Sequence, residues 1–218
     1  MKITVNKAFT IKYQLTENTK RVINSFGISQ EKTHVIFDNF TLEFNKGAIV
    51  FIVGFSGSGK SVLMKELYKH TGGIYIYDWR NMPFDDRPII DYFPKMDYND
   101  KIYLLSKFGL GEVWKWVSPY SVLSDGEKYR FVLYYSFIEA LNSGNKFLYI
   151  DEFCATLDRL TAKAIANNLH KMVKRHGITL VAATTHDDLI PYLKPDVLVY
   201  KEFDKNVRVE HAPVASED

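Results

Sequence analysis

Eight consecutive residues, Gly54-Phe55-Ser56-Gly57-Ser58-Gly59-Lys60-Ser61, fit the pattern G-x-x-x-x-G-K-[ST] without a mismatch. Residues of these types at this spacing form a phosphate-binding P-loop. The glycines let the backbone curl until successive N–H groups point inward at anionic oxygens. Lys60 supplies a charge to the β- and γ-phosphates, and the Ser61 hydroxyl can ligate Mg²⁺. The loop follows the apolar run Ala48 to Val53 and precedes the helix-compatible segment Val62 to Leu67. A helix placed there adds its positive N-terminal end.

A P-loop needs an acidic partner at a neighbouring strand end, to hold Mg²⁺ and orient water for in-line attack. Phe147-Leu148-Tyr149-Ile150 runs directly into Asp151-Glu152. Asp151 is placed to hold the metal, and Glu152, one residue further, to act as general base on the attacking water. Two carboxylates at the end of a buried strand carry a desolvation penalty that calls for a functional reason. His186 follows another apolar strand, Ile178 to Ala183, and the turn Thr184-Thr185; there a neutral imidazole could hydrogen-bond a γ-phosphate or the catalytic water.

Leu123-Ser124-Asp125-Gly126-Glu127 opens a helix-like segment. Taken in order with Gly54–Ser61, Ile150-Asp151-Glu152, Ala155-Thr156-Leu157-Asp158 and Thr185-His186-Asp187, it resembles the motif set of the ABC ATPase family, from about Phe26 to Val209. The resemblance implies a cassette that binds ATP and Mg²⁺ and hydrolyses ATP at the interface of an ATP-sandwiched homodimer. Ser124 and the Gly126 N–H would contact a γ-phosphate bound by the second copy, Asp158 would lie along that interface, and His186 would be the switch histidine. An aromatic ring upstream is expected on adenine, with Phe26 the first candidate and His34 the second. Asp125 stands where the family most often has glycine, and is expected to cap the helix and point away. No glutamine occurs between Gly73 and Leu123; Asp91 sits where the Mg²⁺-sensing glutamine is expected.

Lys60 and Ser124 are 64 residues apart, short for the transport branch of the family. Together with Arg87-Pro88-Ile89-Ile90-Asp91 and the 151–159 segment, this looks more like a non-transport branch associated with a predicted acetyltransferase-like domain. The implied partner is a soluble protein such as an acetyltransferase-like enzyme, with nucleic acid reached only indirectly. A DNA-repair or chromosome-maintenance ATPase and a transporter subunit are the alternatives. The absence of a heptad run counts against the first of these.

To position these motifs the chain must alternate strands and helices, which implies an α/β fold with a mostly parallel sheet. One domain is expected over 1–218, with an antiparallel β subdomain over about 1–47 and a helical subdomain over about 83–142 that contains 123–127. Residues 2–53 read as short β runs, among them Ile3–Val5, Phe9–Tyr13, Val35–Phe37 and Phe40–Phe44. Helices are expected from about Asp125 to Leu141 and from Arg159 to His176, the latter with Leu160, Ala164, Ile165, Leu169, Met172 and Val173 on one stripe and Gly177 as its cap. A final hairpin is expected through 197–199 and 207–209.

The formal charge of +2, from 28 basic and 26 acidic side chains, gives no overall footprint for nucleic acid or anionic membrane. A single cysteine, Cys154, no leader-like N-terminus and no apolar run of membrane-spanning length lead to the expectation of a cytoplasmic protein without membrane insertion. Cys154 itself reads as a small buried hydrophobe.

Overall fold

The computed structural model describes residues 1–203 and 205–212. Its centre is a six-stranded sheet in the order β4-β5-β6-β3-β7-β8 among the described residues. The strands are β3 (Ile49–Val53), β4 (Ile74–Ile76), β5 (Phe147–Ile150), β6 (Thr179–Thr184), β7 (Val197–Lys201) and β8 (Val207–His211). Pairing is parallel except for the β7–β8 hairpin. Every residue of β3, β5 and β6 is buried, as expected for strands covered on both faces.

Successive side chains of a strand point to opposite faces, and β3 shows it. Val50 and Ile52 join a core with Leu63, Met64 and Leu67 of helix α2 (Lys60–Thr71). Ile49, Phe51 and Val53 face the other way, into a core with α5 (Asp125–Asn142) and α6 (Arg159–His176). The second core continues into a helical layer containing α3 (Tyr98–Lys107) and the one-turn α4 (Val113–Trp116). A short helix, α7 (Ile190–Leu193), joins β6 to β7. The layer lies within the 83–142 interval expected to be helical.

The N-terminal portion departs from the expected run of short strands. Ile3–Val5 and Phe9–Tyr13 belong to one long strand, β1 (Lys2–Lys12), and Val35–Phe37 and Phe40–Phe44 largely to another, β2 (Glu31–Glu43), paired antiparallel with irregular register at Val5 to Ala8. Between them stands a helix where only β structure was expected, α1 (Glu17–Phe26), capped by Thr16 and closed by Gly27 at φ 61°. None of its residues is buried; its apolar residues Val22, Ile23 and Phe26 share one face that the core does not cover. The inner end of the hairpin packs on the sheet through Ile3, Val5, Phe37 and Leu42.

Helix α6 has the expected limits, with Gly177 at φ 65° as its cap. Its inner face is Ala162, Ile165, Ala166, Leu169, Met172 and Val173, whereas Leu160 is 81% exposed and Ala164 is also exposed. The expected stripe was shifted at its start, because Leu160 lies in the first turn, where α6 leaves the sheet edge. Cys154 is fully buried, and burial pushes its thiol well above the usual range.

Candidate nucleotide-binding site

The parallel strands deliver the motifs to one edge of the sheet. In register, Val53 pairs with Thr184 and Ile150 with Ala182, so the C-terminal ends of β3, β6 and β5 lie side by side. The acidic strand β5 is therefore not the immediate neighbour of the P-loop strand. β6 stands between them and brings His186 to the middle of the edge. Open parallel sheets bind ligands at such carboxyl ends.

Backbone geometry dictates the glycines. Gly59, the N-cap of α2, has φ 105°, and a Cβ there would lie 2.6 Å from Ile36 Cγ2. A Cβ on Gly54 would lie 2.0 Å from the Lys201 carbonyl oxygen, and Gly57 has φ 76°. The Lys60 ammonium donates to the carbonyl oxygens of Gly54 (2.8 Å) and Phe55 (2.7 Å). Burial pulls its pKa down, and the charges of Asp151 and Glu152 oppose that pull, so both carboxylates act on the same ammonium. Ser58 Oγ is buried and has no protein partner, a polar atom that a phosphate oxygen would satisfy. Phe55, Ser56 and Ser61 are exposed on the loop and at the start of α2. The free N–H groups of the first turn of a helix complete an anion cradle.

Glu152 is held in an unusual backbone. It has φ 51° and Cys154 has φ 56°, left-handed values that carry a cost of about 1–2 kcal/mol for such residues. The loop is pinned by Phe153 N–H to the Ala183 carbonyl (2.7 Å) and Cys154 N–H to the buried Tyr129 hydroxyl (2.7 Å). The Glu152 N–H donates to Asp151 Oδ1 at 3.0 Å. The Tyr129 contact was not foreseen. Its only signal in the sequence is a tyrosine one residue past Lys128 on the inner face of a helix.

Asp158 caps α6 by accepting from Thr161 N–H at 2.9 Å; the Thr161 side chain first, and then that backbone bond, lower its pKa. An ion pair between Arg159 and Asp188 ties this loop to the segment after His186. Ser124 is the N-cap of α5, and Glu127 accepts from the Ser124 N–H at 2.9 Å. Asp125, expected as the cap, is instead the first helical residue and exposed. The capping geometry falls one residue earlier because Glu127 stands at the third helical position, where it reaches back to Ser124. The Gly126 position lies against Leu157, 3.6 Å from Cδ2 to a Cβ there, so the 123–127 and 155–158 segments share one surface.

Neither Phe26 nor Asp91 lines the cavity beside Gly57 and Ser58. Phe26 ends α1 and is 77% exposed; it is the second candidate, His34, that lines the cavity beside Gly57 and Ser58. Asp91 is exposed at the end of a single turn, Ile89–Asp91, in the helical layer. Among the described residues there is no group of three or more His, Cys, Asp or Glu side chains able to hold a metal by themselves.

With this arrangement the chain is similar in fold to a solved structure, the dimeric form of MJ0796, a bacterial ABC transporter cassette. The two match with a TM-score of 0.66 over 98% of this chain and 100% of that one, at 16% identity. This chain has the fold of an ABC ATPase cassette. No protein-family model matches it. In sequence the cassette is 28% identical, over 224 aligned positions, to the methionine import ATP-binding protein MetN of Desulfitobacterium hafniense, covering 86% of this chain and 63% of that protein. It is 27% identical to the alpha-hemolysin translocation ATP-binding protein HlyB of Escherichia coli, covering 68% of this chain and 25% of that one. The chain thus spans less than two thirds of the length of these relatives. No helix among the described residues is long and apolar enough to cross a membrane.

Proposed function

We propose that the cassette hydrolyses Mg-ATP at composite sites formed between two copies and uses the closure to drive a partner. The observation that carries this reading is the register of β3, β6 and β5, which sets the P-loop, the segment leading to His186 and the Asp151-Glu152 pair at one end of the sheet, where Ser58 Oγ is buried without a protein partner. Lys60 and the loop amides bind the phosphates. Ser61 and Asp151 would hold Mg²⁺, which when bound neutralises charge on the β- and γ-oxygens. Glu152 takes a proton from water as the water oxygen bonds to the γ-phosphorus and the bond to the β-bridging oxygen breaks, releasing ADP and phosphate. His186 fixes the γ-phosphate or the water. Ser124 and Gly126 of a second copy close the site, with Asp158 beside them. Asp91 enters no step.

Two partner readings remain. The 64-residue interval from Lys60 to Ser124 and the 87–91 and 151–159 segments favour a soluble enzyme, with an acetyltransferase-like protein first. The names of the relatives, import and translocation ATP-binding proteins, favour a membrane subunit. Co-purification from the native cell followed by ATPase assay with the purified partner separates them: stimulation by a polytopic membrane protein selects the second.

The nucleotide reading is tested with Lys60→Ala and Glu152→Gln. At ATP about a hundred times its Kd, binding adds about 2.7 kcal/mol, which is about 5–10 °C in Tm at this chain length. Glu152→Gln should keep that shift and lose about 10²–10⁴ in turnover; Lys60→Ala should lose the shift. Full turnover by Glu152→Gln removes the general-base role.

A further inference from the structure

The phosphate loop has an aromatic neighbour from the far end of the chain. A cavity of about 480 Å³ opens beside Gly57 and Ser58, lined also by β2 around His34 and by Phe203, from the turn between β7 and β8. That volume is in the usual range for small-molecule sites. The Phe203 and Phe55 rings stack at 5.5 Å between centroids and 4° between planes. Both remain largely exposed, at 57% and 66%, so the pair presents a flat aromatic surface to solvent at the rim of the cavity.

The loop fixes where the rest of a nucleotide must go. Gly57 and Ser58 belong to the P-loop and also line the cavity, and Ser58 Oγ is buried there without a protein partner. A nucleoside carried by phosphates in the cradle therefore has an adjoining space with an aromatic wall. We propose that Phe203, held parallel to Phe55, is the surface on which the base of the bound nucleotide stacks. The base wall is then supplied by the C-terminal hairpin and not by an aromatic residue preceding the P-loop. His34 lines the same cavity. This inference rests on the nucleotide reading given above.

The test compares ATP with inorganic tripolyphosphate, which has the phosphates but no base, by calorimetric titration of the full chain. Base stacking on an aromatic side chain corresponds to about a 5- to 150-fold change in Kd. Phe203→Ala should weaken ATP by that factor, leave tripolyphosphate within twofold, and be reversed by Phe203→Trp. Phe203→Leu, which keeps apolar bulk without the π face, should behave like Phe203→Ala and decides the matter should the smaller residue disturb the hairpin. Unchanged ATP affinity in both variants overturns the proposal, as does an equal loss of ATP and tripolyphosphate, which marks a structural role. Wild-type protein that binds neither ligand removes the nucleotide reading itself, and the stacking surface with it.

Discussion

Tyr129→Phe isolates the clamp on the carboxylate proposed as general base. The phenol ring is fully buried in α5 against Trp79, with centroids 5.6 Å apart, so the substitution keeps the packing and removes one oxygen. What it leaves is the Cys154 N–H, 2.7 Å from that oxygen, in the core without a partner. An orphaned buried donor costs about 1–3 kcal/mol. The loss falls on a segment that already holds two left-handed non-glycine residues, Glu152 and Cys154. We expect a destabilisation of about 2 kcal/mol, read as a fall of about 4–8 °C in Tm. The functional consequence is sharper, because Glu152 sits two residues from the lost contact. A displacement of about 1 Å at a reacting group can reduce rate about 10²-fold. The kcat for ATP should fall about 10- to 100-fold while nucleotide affinity, set by the P-loop, stays within twofold. Steady-state kinetics beside a nucleotide titration makes the comparison. A lowered Tm with unchanged kcat would show that Tyr129 supports the core without setting the carboxylate. An unchanged Tm would show that the bond carries no weight.

The remaining predictions concern the surface that Ser124, Gly126 and Asp158 share. Glu152→Gln with Mg-ATP should run as a dimer in light scattering, and adding Ser124→Arg should return it to monomer through bulk at the closing face; an active, strictly monomeric wild type would falsify the composite site. Glu127→Gln probes the cap of the same helix. Burial alone would raise the Glu127 carboxyl, but bonds from Lys115 and Ser124 outweigh it and hold it at about 2. A carboxyl depressed on folding stabilises above its unfolded pKa, and that contribution is lost as pH falls through the folded one. The stability gap between wild type and Glu127→Gln should therefore be full near pH 7 and shrink as pH falls below about 4.5. A gap that does not change with pH contradicts the ion-pair account.

Local pattern was sufficient wherever one segment makes its own structure. The P-loop could be read because its glycines answer backbone demands inside eight residues, as Gly57 and Gly59 at positive φ show. Strands β3, β5 and β6 could be read because burial on both faces leaves an unbroken apolar run, and helix α6 because Gly177 marks its end. Helix α1 is the harder case: it packs nothing into the core, and its signals are confined to the Thr16 cap, the Gly27 terminus and the apolar residues Val22, Ile23 and Phe26 on one face, between two β-type runs. The one-residue error at Asp125 arose because capping depends on which side chain reaches back, and Glu127 reaches Ser124.

The site beyond the motifs belongs to tertiary structure. Sequence order does not say that β6 lies between β3 and β5, since strand neighbours are chosen by crossovers between distant segments. Nor does it join Tyr129 to Cys154 or bring Phe203 beside Phe55. Those contacts link residues far apart in the chain and leave no local periodicity. The amino-acid sequence by itself determined the chemistry of the phosphate loop, the two carboxylates and the elements that carry them. Folding decided which distant side chains hold Glu152 in place and which aromatic ring stands beside the phosphate loop, because both depend on how the sheet orders its strands.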